Sequence, residues 1–222
     1  MTPRTLQIIE SSRPAGWVLE PLAKELLREQ GLPVPAGRWV RTPQEAEEAA
    51  LALGFPLAAK VVSPAVLHKS DVGGVALHVA DSGRLKSVLE AFLAMEKSEG
   101  MYVERMGSGV EVIVGSRFDR QFGPIVLVGL GGTSVEIYKD VAIRMAPLDA
   151  AQAREAILGL KGARLLTGYR GKPAADLEAL AGFVAAFSEV AMTLGDRIES
   201  VDLNPVLCSP TGVTLADARI ML

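Results

Sequence analysis

The spacing of apolar residues changes character at Gly107-Ser108-Gly109. Before that tripeptide helical and strand periods alternate, and after it strand follows strand. Leu19, Leu22 and Leu26 share a helical face that stops at Gly31 and Pro33, and a short strand is expected around Arg38 to Val40. Thr42-Pro43-Gln44-Glu45 is a capping box with proline at the first helical position, so a helix should run to Leu53 and end at Gly54. Strand Leu57 to Val62, a polar loop over 63–74 and strand Val75 to Val79 follow. An amphipathic helix through Leu85, Val88, Leu89, Phe92 and Met95, then strand Met101 to Met106, complete this half. Beyond it come strands Val110 to Phe118, Ile125 to Leu130 and Val141 to Met145, helices near 150 to 159 and 175 to 194, and two closing strands. Residues 1–16 show no clear period. The pattern is α+β, with a lead-in over 1–16, a first α/β lobe over 17–106 and a second over 107–222.

Composition narrows the classes of function. A chain of 222 residues with 49 % hydrophobic content can bury a real core. A formal net charge of -3, with both signs mixed along the chain, offers no field to recruit nucleic acid or an anionic membrane, so a small ligand is expected. Cys208 is the single cysteine and has no internal disulfide partner, and MTPRTLQIIE lacks the apolar core of a signal peptide. Ile125 to Leu130 is too short to cross a membrane, and Ala179 to Leu194 is broken by Ser188 and Glu189. A cytoplasmic protein with no membrane span is the expectation.

Lys60 stands inside Leu57-Ala58-Ala59-Lys60-Val61-Val62, where an ammonium is costly to bury unless an anion meets it. A phosphate is one such anion; the other reading is an edge strand that shows Lys60 to water. Just downstream, His68-Lys69-Ser70-Asp71-Val72-Gly73-Gly74-Val75 joins an imidazole, a cation and two glycines whose N–H groups could approach phosphate oxygens. A flexible hairpin loop with a solvated histidine is the plainer alternative. His78, in an alternating strand, reads as a face residue. Glu104 and Glu111 flank a short glycine turn on consecutive strands, where carboxylates could hold adenine and ribose donors or simply face solvent.

The C-terminal strands carry a geometric argument. Asp202 and Asn204 are two apart and face the same way, while Val201 and Leu203 face the core. Ser209-Pro210-Thr211-Gly212 fits a type I turn, and if 209 pairs with 212 then Asn204 pairs with Asp217. Asp202, Asn204 and Asp217 would then offer oxygens to Mg²⁺ shared with phosphates. Pro205 could bulge the strand and shift that register.

These residues resemble a known family. Leu57 to Val75, Tyr102 to Phe118, Phe122 to Arg144 and Val201 to Ile220 are similar to the ATP-grasp portion of ADP-forming acetyl-CoA synthetases. The most specific pieces are the histidine loop, Gln121-Phe122-Gly123-Pro124 with Gly129-Leu130-Gly131-Gly132, and Asp202-Leu203-Asn204-Pro205. Glu25 to Leu53 with Lys60 also looks like the start of the succinyl-CoA synthetase β subunit, a more distant relative. The resemblance implies an ATP-grasp fold, two lobes with ATP or ADP between them and Mg²⁺ on the last strands. It implies that Lys60 binds phosphate, with Lys69, Gly73 and Gly74 in the phosphate loop. It places Glu104, with Val103 beside it, and Glu111 at purine and ribose, and gives Asn204 and Asp217 to the metal. Such enzymes convert acyl-CoA, ADP and phosphate into acid, CoA and ATP, reversibly, and His68 matches a second histidine that carries the phosphoryl group to ADP.

No Gly-x-Gly-x-x-Gly pattern and no CoA-binding or first-histidine domain occurs in these residues. A CoA-binding α-type partner carrying the first phosphohistidine is therefore implied, in a hetero-oligomer. Two other readings share the nucleotide site: a carboxylate–amine ligase, which has no task for His68, and an ATP-binding regulatory module without turnover. Removal of Lys60 is expected to weaken nucleotide binding more than the fold.

Overall fold

The computed structural model describes residues 1–132 and 140–222, so Thr133 and the middle of the Phe122 to Arg144 stretch lie outside the described residues. The chain divides into two compact units, one of Leu19–Leu22 with Pro35–Met106 and the other of Met1–Val18, Ala23–Val34 and Gly107–Leu222.

The smaller unit is a four-stranded antiparallel sheet of β2 (Gly37–Val40), β5 (Met101–Arg105), β3 (Leu57–Val61) and β4 (Val75–Val79), in that spatial order. Helices α3 (Pro43–Leu53) and α4 (Ser82–Leu93) cover one face. The capping box forms: Glu45 N–H donates to Thr42 Oγ1 and Thr42 N–H donates to Glu45 Oε2, both at 3.2 Å. Alternation along β3 and β5 then sorts the side chains. Leu57, Ala59, Val61, Met101 and Val103 join Leu53, Leu85, Leu89 and Phe92 in an apolar core. Ala58, Lys60, Tyr102 and Glu104 occupy the opposite face, Lys60 lying across from Tyr102 and Ala58 across from Glu104. Gly37, paired with Glu104 on β2, leaves room for the Tyr102 ring, which any Cβ at that position would overlap.

The larger unit holds a seven-stranded sheet. Its order is β1 (Trp17–Val18), β11 (Arg219–Met221), β9 (Ser200–Ser209), β6 (Val110–Asp119), β7 (Gly123–Leu130) and β8 (Val141–Met145), with β10 (Gly212–Leu215) paired to β9. Helix α5 (Ala150–Leu158) packs on β7 and β8, and α7 (Leu177–Leu194) packs on β6, β7 and β10; the short helix α6 (Arg164–Thr167) lies between them in sequence. By length and composition α7 could cross a membrane, so it is longer and more apolar than the sequence reading allowed. Leu180, Val184, Phe187, Val190 and Leu194 are buried, and Ser188 is buried too, its hydroxyl accepting from Leu148 N–H at 2.8 Å. This is the packing of a core helix.

Residues 1–16 are more ordered than their sequence suggests. Pro3–Ser12 form helix α1, capped by Thr2, with Thr5, Ile8, Ile9 and Ser12 buried. Two of those four are polar, which dilutes the apolar period. Helix α2 (Glu20–Glu29) buries Lys24, whose Nζ donates to Ala216 C=O at 2.8 Å. Both segments contribute to the larger unit, Met1–Val18 and Ala23–Val34, where the sequence showed a loose lead-in and a first-lobe helix.

Candidate functional site

Lys60 is on an interior strand, not an edge, and is only 5 % exposed. Its ammonium lies 2.7 Å from Glu20 Oε1 and 2.6 Å from Glu104 Oε1. The other Glu20 oxygen is 3.0 Å from Lys69 Nζ. Glu20, Glu104, Lys60 and Lys69 are all buried, so two cations and two carboxylates neutralise one another away from water. The anion that Lys60 requires is thus supplied by the chain itself. Removing one member leaves a buried charge uncompensated, which costs about 3–5 kcal/mol. Lys60 therefore has a role in the fold beside the nucleotide role expected of it.

The loop over 62–74 leaves β3 and returns on β4. Ser63 fixes its start, donating from Oγ to Glu96 C=O at 2.6 Å and accepting from Ala65 N–H at 3.1 Å. A 3₁₀ turn, Ser70–Val72, ends at Gly73 with φ of 70°, a value that favours glycine. Gly74 closes the loop: its N–H donates to Lys69 C=O at 2.7 Å, its C=O accepts from Val61 N–H at 2.8 Å, and a Cβ there would stand 2.5 Å from Val61 Cγ1. Gly73 N–H donates to Ser70 C=O at 3.3 Å. Both amides are used inside the loop, so the pair shapes it and does not present a phosphate cradle. Lys69 likewise points inward to Glu20. His68, the residue before that buried lysine, is exposed. His78 is exposed with φ of 55°, next to the register shift between β3 and β4.

Glu104 and Glu111 lie on strands that are consecutive in the chain but belong to different sheets, β5 in the four-stranded and β6 in the seven-stranded one. Glu104 is buried on Lys60, whereas Glu111 is exposed. The Val103 side chain is in the apolar core, which leaves only its backbone for any ligand.

In the larger unit Glu111 lines a cavity of about 710 Å³ with Gly131, Gly132, Tyr169, Arg170 and Lys172. Gly131 is required there: its N–H donates to Glu111 C=O at 2.6 Å, and a Cβ would come within 2.8 Å of Glu111 Cβ. Tyr169 pairs with Lys172 across a two-residue turn in which Arg170 (φ 49°) and Gly171 (φ 79°) are both left-handed, and the Arg170 guanidinium lies 5.3 Å from the Tyr169 ring centre. Sequence reasoning passed over these cations. Gly168-Tyr169-Arg170-Gly171-Lys172, a glycine-bounded turn with two positive charges, was the available signal. Glu20 was missed as well, and nothing in its local pattern marks it. Cys208 also lines the cavity, but burial pushes its thiol up to about 12, so it stays protonated near pH 7.

The terminal hairpin keeps the expected register. Gly212 pairs with Ser209 and Leu215 with Val206; after a break, Arg219 pairs with Asp202. Three residues lie between the last two pairs on each strand, 203–205 and 216–218, so the register places position 204 level with 217. The break is at Pro205, whose C=O accepts from both Ala216 N–H (3.0 Å) and Asp217 N–H (3.4 Å). Pro205 thus interrupts the ladder without shifting it. Asn204 is exposed and Asp217 half-buried, oxygen donors of the kind a hard cation takes. Asp202 is engaged differently: its Oδ2 accepts from Arg219 Nη2 at 2.8 Å. Among the described residues no group of three or more His, Cys, Asp or Glu is placed to hold a metal.

Two sheets of this kind, with a lysine on a central strand of one and a polar hairpin ending the other, match a family of known proteins. The ATP-grasp domain model matches residues 10–222. The β subunit of ADP-forming acetate–CoA ligase I from Pyrococcus furiosus is 36 % identical over 225 residues, covering 97 % of each chain. A trans-feruloyl-CoA synthase from an unknown prokaryotic organism is 39 % identical over 218 residues, 94 % of this chain, which spans only 31 % of that protein's length. Among solved structures, the dinucleotide-forming acetyl-coenzyme A synthetase 1 of Ca. Korarchaeum cryptofilum superposes with a TM-score of 0.85 at 34 % identity, over 98 % of this chain and 99 % of that one. That structure holds coenzyme A and Mg-AMPPCP, with a phosphohistidine segment pointing towards the nucleotide-binding site. The chain belongs to the ATP-grasp family, with the β subunits of ADP-forming acetate–CoA ligases.

Proposed function

We propose that this chain is the nucleotide-binding component of an ADP-forming acyl-CoA synthetase and that His68 carries the phosphoryl group to ADP. The observation that carries the reading is the setting of His68: an exposed imidazole in a loop anchored between β3 and β4 and one residue from a buried lysine. The near full-length similarity to a separate β subunit supports it, as does the phosphohistidine segment of the archaeal synthetase. Neither alternative reading uses His68.

In this account a CoA-binding partner performs the acyl chemistry and phosphorylates a first histidine. The group passes to His68, and from its imidazole nitrogen to a terminal oxygen of ADP; the N–P bond breaks as the O–P bond forms, and ATP leaves. The net change converts acyl-CoA, ADP and phosphate into acid, CoA and ATP. Glu111 and the Gly131-Gly132 backbone face one side of the cavity and Arg170 and Lys172 supply positive charge to it, a lining that suits a sugar hydroxyl and an anionic tail. In the smaller unit Lys60 and Glu104, with the Val103 backbone beside them, meet phosphate and purine only by loosening their pair with each other. Asn204 and Asp217 hold Mg²⁺, which neutralises phosphate charge when bound. Asp202, fixed on Arg219, joins them only by leaving that partner. Lys69, Gly73 and Gly74 set the shape of the loop. The protein works in the cytoplasm.

The test is a reconstituted pair with a CoA-binding partner. His68→Ala should keep the parental ADP affinity and lose ATP formation from acyl-CoA by at least about 10³-fold, the scale of losing a covalent nucleophile. ATP formation near the parental rate in that variant would refute the relay.

A further inference from the structure

We propose that Arg170, together with Lys172, is a specificity residue of the Glu111 cavity: the pair grips two adjacent phosphates, so that the cavity favours a nucleoside diphosphate over a monophosphate. The proposal deepens the nucleotide reading and rests on it. A two-residue turn with both central residues left-handed suits Asn or Gly, yet here the first is Arg170 (φ 49°) and only the second is Gly171 (φ 79°). A side chain kept at such a position, at a cost in backbone strain, points to a use for the side chain itself. The base of the turn is fixed. Ala175 N–H donates to Leu166 C=O at 2.8 Å, Asp176 N–H donates to Ser209 C=O at 2.9 Å, and Lys172 N–H closes the turn on Tyr169 C=O at 3.1 Å. Gly168 lets the two arms approach, because a Cβ there would stand 3.3 Å from the Lys172 carbonyl oxygen. The turn thus presents its side chains from a framework that a ligand does not have to order.

The charged residues lining the cavity are Arg170, Lys172 and Glu111, two positive and one negative, which leaves an excess of one positive charge. Among the described residues none of the three is in an ion pair; those of this unit join, for example, Arg144 to Glu155, Arg154 to Glu178 and Arg219 to Asp202. Arg170 and Lys172 are exposed, so unlike Lys60 they remain available to an anion from solution. The Arg170 guanidinium, 5.3 Å from the centre of the Tyr169 ring, is held against the cavity wall by a cation–π contact. Two residues of extended chain span at most about 7 Å, so side chains as long as these converge on neighbouring phosphates. The guanidinium takes one phosphate through two parallel N–H donors, and the ammonium meets the other as a point charge.

Calorimetric titration of the full chain with ADP and with AMP tests this. A diphosphate engages both cations and a monophosphate one at a time. Arg170→Gly and Lys172→Met should therefore each lower ADP affinity at least about tenfold, the scale of one charge-assisted contact, and AMP affinity no more than about threefold. Arg170→Lys should regain only part of the ADP affinity, because an ammonium lacks the paired donors. Glycine suits the left-handed position, so the melting temperature of Arg170→Gly should stay within about 2 °C of the parental value. Parental ADP affinity in both variants, equal losses for ADP and AMP, or binding losses accompanied in both variants by a larger fall in melting temperature would each overturn the proposal. Absence of ADP binding by the parental chain would instead refute the nucleotide reading on which it rests.

Discussion

In the smaller unit Lys60, Lys69, Glu20 and Glu104 are each more than nine-tenths buried and engaged with one another, whereas in the larger unit Glu111 and Asn204 are exposed and Asp217 is half-buried. The residue types are much the same; the solvent is not. A charge buried on a sheet face must be compensated by the chain before it can serve a ligand, so its first role is in the fold. A carboxylate beside an open cavity or at a break in a hairpin stays hydrated and can exchange water for a ligand at little cost to stability.

Lys60→Ala should break this contrast most severely. It removes the shared partner of two buried carboxylates, and chemical denaturation should show a loss of about 3–5 kcal/mol. A loss below about 1 kcal/mol would mean that the quartet is not closed in solution. On the cavity side the largest effect belongs to Gly131→Ala, whose Cβ meets Glu111 within 3 Å. A shift of packed backbone typically costs about 1–3 kcal/mol, and the same unfolding measurement should find it. Arg219→Ala should cost only about 0.5–1 kcal/mol, because its pair with Asp202 is partly exposed, at 27 % and 36 %. Raising the salt concentration should shrink that difference further, while the Lys60 effect should barely change. The smallest effect on stability is expected at Asp217→Ala, within about 0.5 kcal/mol. Its consequence should appear instead as a several-fold higher Mg²⁺ requirement in the reconstituted reaction, and coincident Mg²⁺ titrations would remove Asp217 from the metal site.

The same contrast explains what the sequence made legible. The capping box at Thr42, the helix stop at Gly54 and the hairpin register from Ser209 to Gly212 depend on neighbours within a few residues, and each is found. The register that this turn sets is the same on both sides of the break at Pro205. What failed was long-range. Glu20 is 40 residues from Lys60 and 84 from Glu104 in sequence, so no local period could bring them together. The glycines of the loop were legible as loop formers, but which carbonyls their amides meet depends on Val61 and Lys69 in three dimensions. Glu104 and Glu111 looked alike because they flank one glycine turn; that turn joins two sheets and is not a hairpin within one.

The most direct test of the central claim is phosphoryl trapping. Labelled ATP and Mg²⁺ are incubated with the chain, with and without its CoA-binding partner, and the protein is quenched in base and searched for acid-labile phosphate. The account predicts label on His68, absent in His68→Ala and discharged to ATP when excess unlabelled ADP is added. Label that persists undiminished in His68→Ala, or no protein-bound phosphate under these trapping conditions, would contradict it.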